Sequence, residues 1–166
     1  MTYKRAIYVF KASITMLVLG VLFLNSTQIF SQTSQRYYWV GGGVDNNWGN
    51  ISNWSSSSGG IASAGITQAP ANVNTCIFDA NSFLNGDSTI DITGAVQCDS
   101  LLFLNATHKA KLVFAGNASL SIYGSLELQA GMRFDNNYQF NFNSNRPNES
   151  IRTNGVNMVS VYPYYT

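Results

Sequence analysis

From about residue 76 onward, short alternating pairs recur along the chain: Ile77 with Asp79, Ile90 with Ile92, Leu101 with Phe103, Leu112 with Phe114, Leu120 with Ile122, Leu126 with Leu128, Met132 with Phe134, and Phe140 with Phe142. Each is an i, i+2 pattern, which places one face of a strand inward and the other outward. Gly94, Gly116, Gly124 and Gly131 punctuate the segments. No window in this region carries the i, i+3, i+4, i+7 stripe of an amphipathic helix. The pattern predicts an all-β domain of short strands.

The pairs also repeat on a longer scale. Ile90, Leu112 and Met132 form one series, and Leu101, Leu120 and Phe140 another, with steps of 19 to 22 residues. A common spacing near 20 fits a right-handed parallel β-helix, or solenoid, with two or three short strands per coil. Strands every 8 to 12 residues also suit an antiparallel β-sandwich. Asn85-Gly86 and Asn154-Gly155 are each able to close a hairpin, so the sandwich stays open as the alternative.

The first part of the chain reads differently. Met1 to Lys11 carries three cations, and Ala12 to Leu24 is a charge-free apolar run of 13 residues. A polar stretch then ends at Ser31. This is the order of a cleavable signal peptide, residues 1 to 31, with the cut expected between Ser31 and Gln32. A bilayer span needs about 20 apolar residues, so no transmembrane span is expected in the mature chain. Residues 32 to 75 then read as a Trp/Gly/Ser-rich N-terminal cap and loop, and residues 76 to 166 as the start of the solenoid.

Composition agrees with strands and with export. Charged residues are only 10% of the chain, against about 25% in average soluble proteins. Lys4, Arg5 and Lys11 lie in the export segment, so six of the nine cations face eight acidic residues in the mature chain. That balance offers no footprint for nucleic acid. Cys76 and Cys98 lie 22 residues apart, about one coil. On neighbouring rungs, about 4.8 Å apart, they would be within reach of a disulfide. Two buried thiols acting as small hydrophobes remain the other reading. With His108 the only histidine and no CxxC spacing, no metal site or cofactor is expected.

The stretch YYWVGGGVDNNWGNISNWSSSSGG (Tyr37 to Gly60), then CIFDANSF (Cys76 to Phe83) and QCDSLLFLNA (Gln97 to Ala106), resembles the N-terminal region of large secreted surface proteins of the Bacteroidota. Those proteins share a W-V-G-G…W…N-W-S…S-G-G opening, an F-D-x-x-S-F motif and a Cys-x-S-L step into β-helix-like repeats. The resemblance implies an adhesin-like, multidomain surface protein exported by the general secretory route and often by type IX secretion. It also implies a C-terminal sorting or gliding-motility-associated domain. This chain ends at VYPYYT, which leads to the expectation of an N-terminal part of a longer reading frame.

Candidate chemistry is sparse. Tyr38, Trp39, Trp48 and Trp54 are candidates for stacking on extracellular glycans; the competing reading packs them as the cap that a repeat array needs. Asp45, Asn46, Asn47 and Asn50 form an oxygen-rich loop without calcium-site spacing, which favours Asx turns. Asp79 suits a turn cap. Asp87-Ser88-Thr89 and Asp99-Ser100-Leu101 match a short Asp-Ser/Thr-apolar pattern glycosylated in the resembled group. The acids Asp87, Asp91, Asp99, Glu127, Asp135 and Glu149 are scattered, and no catalytic constellation is found. The function expected is a non-enzymatic, secreted or cell-surface adhesin-like protein that meets extracellular glycans or surface polymers. The alternative is a carbohydrate-binding or polysaccharide-degrading β-helix module.

Overall fold

A computed structural model describes residues 34–158 except 85, 87, 136 and 137. All the described residues belong to one compact unit. The export segment, with the expected cut at Ser31 and Gln32, lies outside the described residues.

The strands are short, as the alternating pairs require. An N-terminal region holds β1 (Gln35–Trp39) and β2 (Trp54–Ser55), joined through a single 3-10 turn at Ile51–Asn53. Three coils follow. The first is β3 (Asn74–Asp79), β4 (Thr89–Ile92) and β5 (Ala95–Cys98). The second is β6 (Leu101–Leu104), β7 (Lys111–Phe114) and β8 (Ser119–Ile122). The third is β9 (Leu126–Glu127), β10 (Arg133–Asp135) and β11 (Phe140–Phe142), after which β12 (Ile151–Arg152) begins another.

Successive coils stack into three sheets. The first has the order β12-β9-β6-β3-β1-β2, the second β10-β7-β4 and the third β11-β8-β5. Every pairing is parallel except β1 with β2. An antiparallel sandwich is therefore excluded, and the fold is a β-solenoid of about three turns. Ile90, Ile92, Leu112, Phe114, Leu120 and Ile122 point into its core, and their polar neighbours point out.

Most of the pairs are strands, with Leu128 and Met132 just outside β9 and β10. Ile77 and Asp79 face outward, because β3 turns Cys76 and Phe78 into the core. The register also differs from the spacing argument. In the first sheet Cys76, Leu101, Leu126 and Ile151 are partners at even steps of 25 residues. In the second, Ile90 and Leu112 are joined by Phe134 rather than Met132. In the third, Leu120 sits between Val96 and Phe140, so Leu101 and Leu120 belong to different sheets. Alternation fixes which side chains share a face but not which side of the coil a strand occupies. Corners of unequal length absorb the difference.

The cap is built on the solenoid rather than beside it. β1 extends the first sheet in parallel to β3, with Tyr37 opposite Cys76, and Asn47 bridges Asp91 on the second sheet. Residues 35–55 thus form an incomplete leading coil, and between β2 and β3 the chain runs through turns without strand or helix. Because Leu112 is wholly buried between Ile90 and Phe134, Leu112→Ala should cost about 2–5 kcal/mol. Urea denaturation followed by circular dichroism checks this; an unchanged midpoint would contradict the stacked core.

Candidate functional site

The tryptophans resolve in favour of the cap. Trp39, Trp48 and Trp54 are 1%, 1% and 0% exposed, so no indole face is available to a sugar ring. This corrects the glycan-stacking assignment for all three. Trp54 packs edge-on to Trp39 (5.1 Å between centroids), Trp48 (5.0 Å) and Phe78 (5.6 Å). Trp39 stacks over Phe78, which stacks on Phe103 at 4.5 Å and 10°. A column of rings therefore runs from the cap through the first two coils, an arrangement that adds to area burial. The Trp54 indole N–H donates to the Trp48 carbonyl (2.8 Å), while the Trp48 N–H has no partner among the described residues.

The rest of the motif holds this cluster in place. Asn53, wholly buried, donates its amide to the carbonyls of Asp45 and Asn47 and accepts from the Gly43 N–H. A Cβ on Gly43 would lie 2.6 Å from the Asn53 side-chain oxygen, so close approach, not phosphate binding, accounts for the glycine there. Asp45 accepts from the Asn50 side chain and the Asn47 N–H, and these bonds hold its carboxyl below the usual aspartate value. The oxygen-rich loop is thus a set of Asx turns. In the FDANSF segment, Asp79 accepts from the Asn81 N–H, and the Ser82 hydroxyl ties the Trp39 carbonyl to the Asp79 N–H. Phe83 stacks on Phe78.

A second feature lies on the corner that leads into the first sheet, and sequence reasoning missed it. The triplets Asp99-Ser100-Leu101, Gly124-Ser125-Leu126 and Glu149-Ser150-Ile151 recur at the 25-residue step. The Ser125 N–H donates to the Ser100 hydroxyl and the Ser150 N–H to the Ser125 hydroxyl, each at 3.0 Å. Arg146 bridges the two acids, 2.6 Å from Asp99 and 2.8 Å from Glu149. Gly124 makes the bridge possible, because a Cβ there would collide with the Ser100 hydroxyl and lie 2.7 Å from the Arg146 guanidinium. The repeated acid/Gly-Ser-Leu/Ile triplet was the available signal. Ser100 is buried, donates to Asp99 and accepts from Ser125, so in the fold its hydroxyl is engaged within the corner. Asp87 of the other matching triplet lies outside the described residues.

The third feature is an open groove of about 540 Å³ along the outer face of the first sheet. Its floor follows one line across the strands, Tyr38, Ile77, Leu102, Glu127 and Arg152, with Arg36, Asp79 and Leu104 beside it. Among the described residues, Arg36, Asp79, Glu127 and Arg152 take part in no ion pair. Tyr38 is half-buried here, so of the four aromatic candidates it alone faces a surface cleft. His108 and Lys109 are exposed, and Lys111 pairs with Asp135.

Cys76 and Cys98 are both free and wholly buried. They are not rung neighbours as the spacing suggested, since Cys76 is opposite Leu101 and Cys98 is opposite Ile122. They lie on either side of a corner between two sheets, where the Asp99 N–H donates to the Asn74 carbonyl and the Cys76 N–H to the Ser100 carbonyl. No group of three or more His, Cys, Asp or Glu among the described residues is placed to hold a metal ion.

These features define a capped β-solenoid with one broad outward sheet face. In comparisons with protein-family models, curated proteins and solved structures, nothing matches this chain.

Three substitutions test the cap and the corner. Trp48→Ala should cost about 3–5 kcal/mol and loosen the cap, read as a lowered thermal midpoint; a folded, equally stable variant would contradict the burial. Gly124→Val should cost about 1–3 kcal/mol by displacing Arg146 and the serine ladder. That loss should exceed the loss from Arg146→Ala, because Arg146 is half-exposed and such pairs contribute little; the reverse order in thermal denaturation would contradict the corner geometry.

Proposed function

We propose that this chain is an exported, non-enzymatic, adhesin-like surface segment whose contact face is the outer face of the first sheet. The observation that carries the reading is the groove, where Tyr38 and four charges without ion-pair partners among the described residues surround Ile77, Leu102 and Leu104. Charged groups without an ion-pair partner at a surface cleft are available to a partner, and Leu102 and Leu104 supply apolar area to cover. The solenoid holds these groups on rigid, hydrogen-bonded strands. Support for export comes from residues 1 to 31, and support for an adhesin-like role comes from the W-V-G-G and F-D-x-x-S-F resemblance.

The second reading is a carbohydrate-binding module, and Tyr38 favours it. Its ring borders a cleft whose guanidiniums donate and whose carboxylates accept, which suits the paired donor and acceptor character of sugar hydroxyls. The contact would then rest on Tyr38, with Trp39, Trp48 and Trp54 supporting it from below.

The experiment is adhesion of the purified chain to polysaccharide-coated and protein-coated surfaces, with Tyr38→Ala and Arg152→Ala as probes. Adhesion should fall severalfold, up to about tenfold, in each variant, while the thermal midpoint stays within a few degrees of the parent. Selective loss on polysaccharide favours the carbohydrate module. Undiminished adhesion by both variants would show that the groove is not the contact face, and release of reducing sugar from the polysaccharide would overturn the non-enzymatic reading.

A further inference from the structure

We infer that Cys76 and Cys98 are the site of an intramolecular disulfide that closes while the first coil folds and is then sealed inside it. The placement rests on backbone geometry. The Asp99 N–H donates to the Asn74 carbonyl and the Cys76 N–H donates to the Ser100 carbonyl, both at 2.8 Å. The chain leaving Cys98 is therefore bonded directly alongside the chain entering Cys76. Both side chains point inward and are 0% exposed. Cys76 opens the first coil and Cys98 closes it, so a bond between them makes that coil a covalent ring beneath the aromatic column.

Formation removes two thiol protons and two electrons and creates one S–S bond. The electrons pass to a disulfide-bearing oxidant, a protein or a small molecule, which is reduced to two thiols after a mixed-disulfide step. That step needs a thiolate that the oxidant can reach. In the folded coil neither sulfur is reachable, and burial, together with the Cys98 side chain, pushes the Cys76 thiol well up. Exchange must therefore precede closure of the coil, and a bond once formed is shielded from reductant by the same burial. The inference rests on the export reading for its oxidising compartment but not for its geometry.

The test uses the full chain in two arms. In the first, protein is recovered from its host, unfolded in guanidinium with an alkylating reagent and no reductant, and weighed. The expected result is no alkylation and a mass lower by two hydrogens than the reduced chain; two alkylated cysteines overturn the inference. In the second arm, reduced protein is refolded with glutathione and its disulfide present, or refolded in reductant and given the oxidant afterwards. Oxidation should be complete in the first case and slowed to the rate of unfolding in the second. Absence of the bond in both cases, or equally fast oxidation of the folded protein, overturns the inference. A mass lower by two hydrogens in host protein that proves cytoplasmic supports the disulfide and removes the export reading alone. The double variant Cys76→Ala/Cys98→Ala keeps small apolar side chains; its thermal midpoint should fall roughly 10 °C below the oxidised chain and match the reduced one. A midpoint equal to the oxidised chain would overturn the stapling role.

Discussion

Each coil of this protein can bury its inward side chains only against the coils above and below it. A coil contributes three strands of two to six residues, too short to enclose a core alone. Parallel hydrogen bonding in register then brings like positions into columns, and the column Trp39, Phe78, Phe103 shows the result in stacked rings. Such an array has a free end, and exposed apolar rungs there would be costly. The Trp-rich opening answers that constraint by covering the first coil with its own partial coil and three buried indoles.

The same constraint explains the polar residues. Strands this short turn at every few residues, so a large share of backbone groups falls at corners, where the ladder does not satisfy them. Asparagine, serine and glycine supply the missing partners: Asn53 for the cap loop, the Ser100–Ser125–Ser150 ladder for the corner into the first sheet, and Gly124 as the gap through which Arg146 reaches Asp99. Low charge follows, because outward positions are filled by residues that also serve the turns.

The two faces of the first sheet divide the labour. Inward it carries cysteine, leucine and phenylalanine that hold the coils together, and outward it carries the groove proposed as the contact face. A partner would meet a surface whose shape is set by strand spacing, about 4.8 Å per step, and whose chemistry varies from rung to rung. The buried thiols belong to the inward side, out of contact with any partner.

Strand character and the inward phase of most pairs were legible in the sequence, because alternation with period two leaves no other face for Ile90 and Ile92 or Leu120 and Ile122 to share. Ile77 and Asp79 are the exception, since β3 turns Cys76 and Phe78 inward. The need for a cap was legible in the clustered tryptophans. Register was not: Met132 yielded to Phe134 and Leu101 parted from Leu120, since corner length decides which side of the coil a strand joins. Whether an indole is a ligand platform or a core ring was equally undecided by type. Burial by Phe78 and Phe83, distant in sequence from the tryptophans, settled it. The Asp99–Arg146–Glu149 bridge and the groove bordered by Tyr38 exist only because the 25-residue step stacks separate segments. The sequence by itself determined period and polarity; the tertiary structure decided neighbours, because contacts between coils depend on loop lengths that no local pattern encodes.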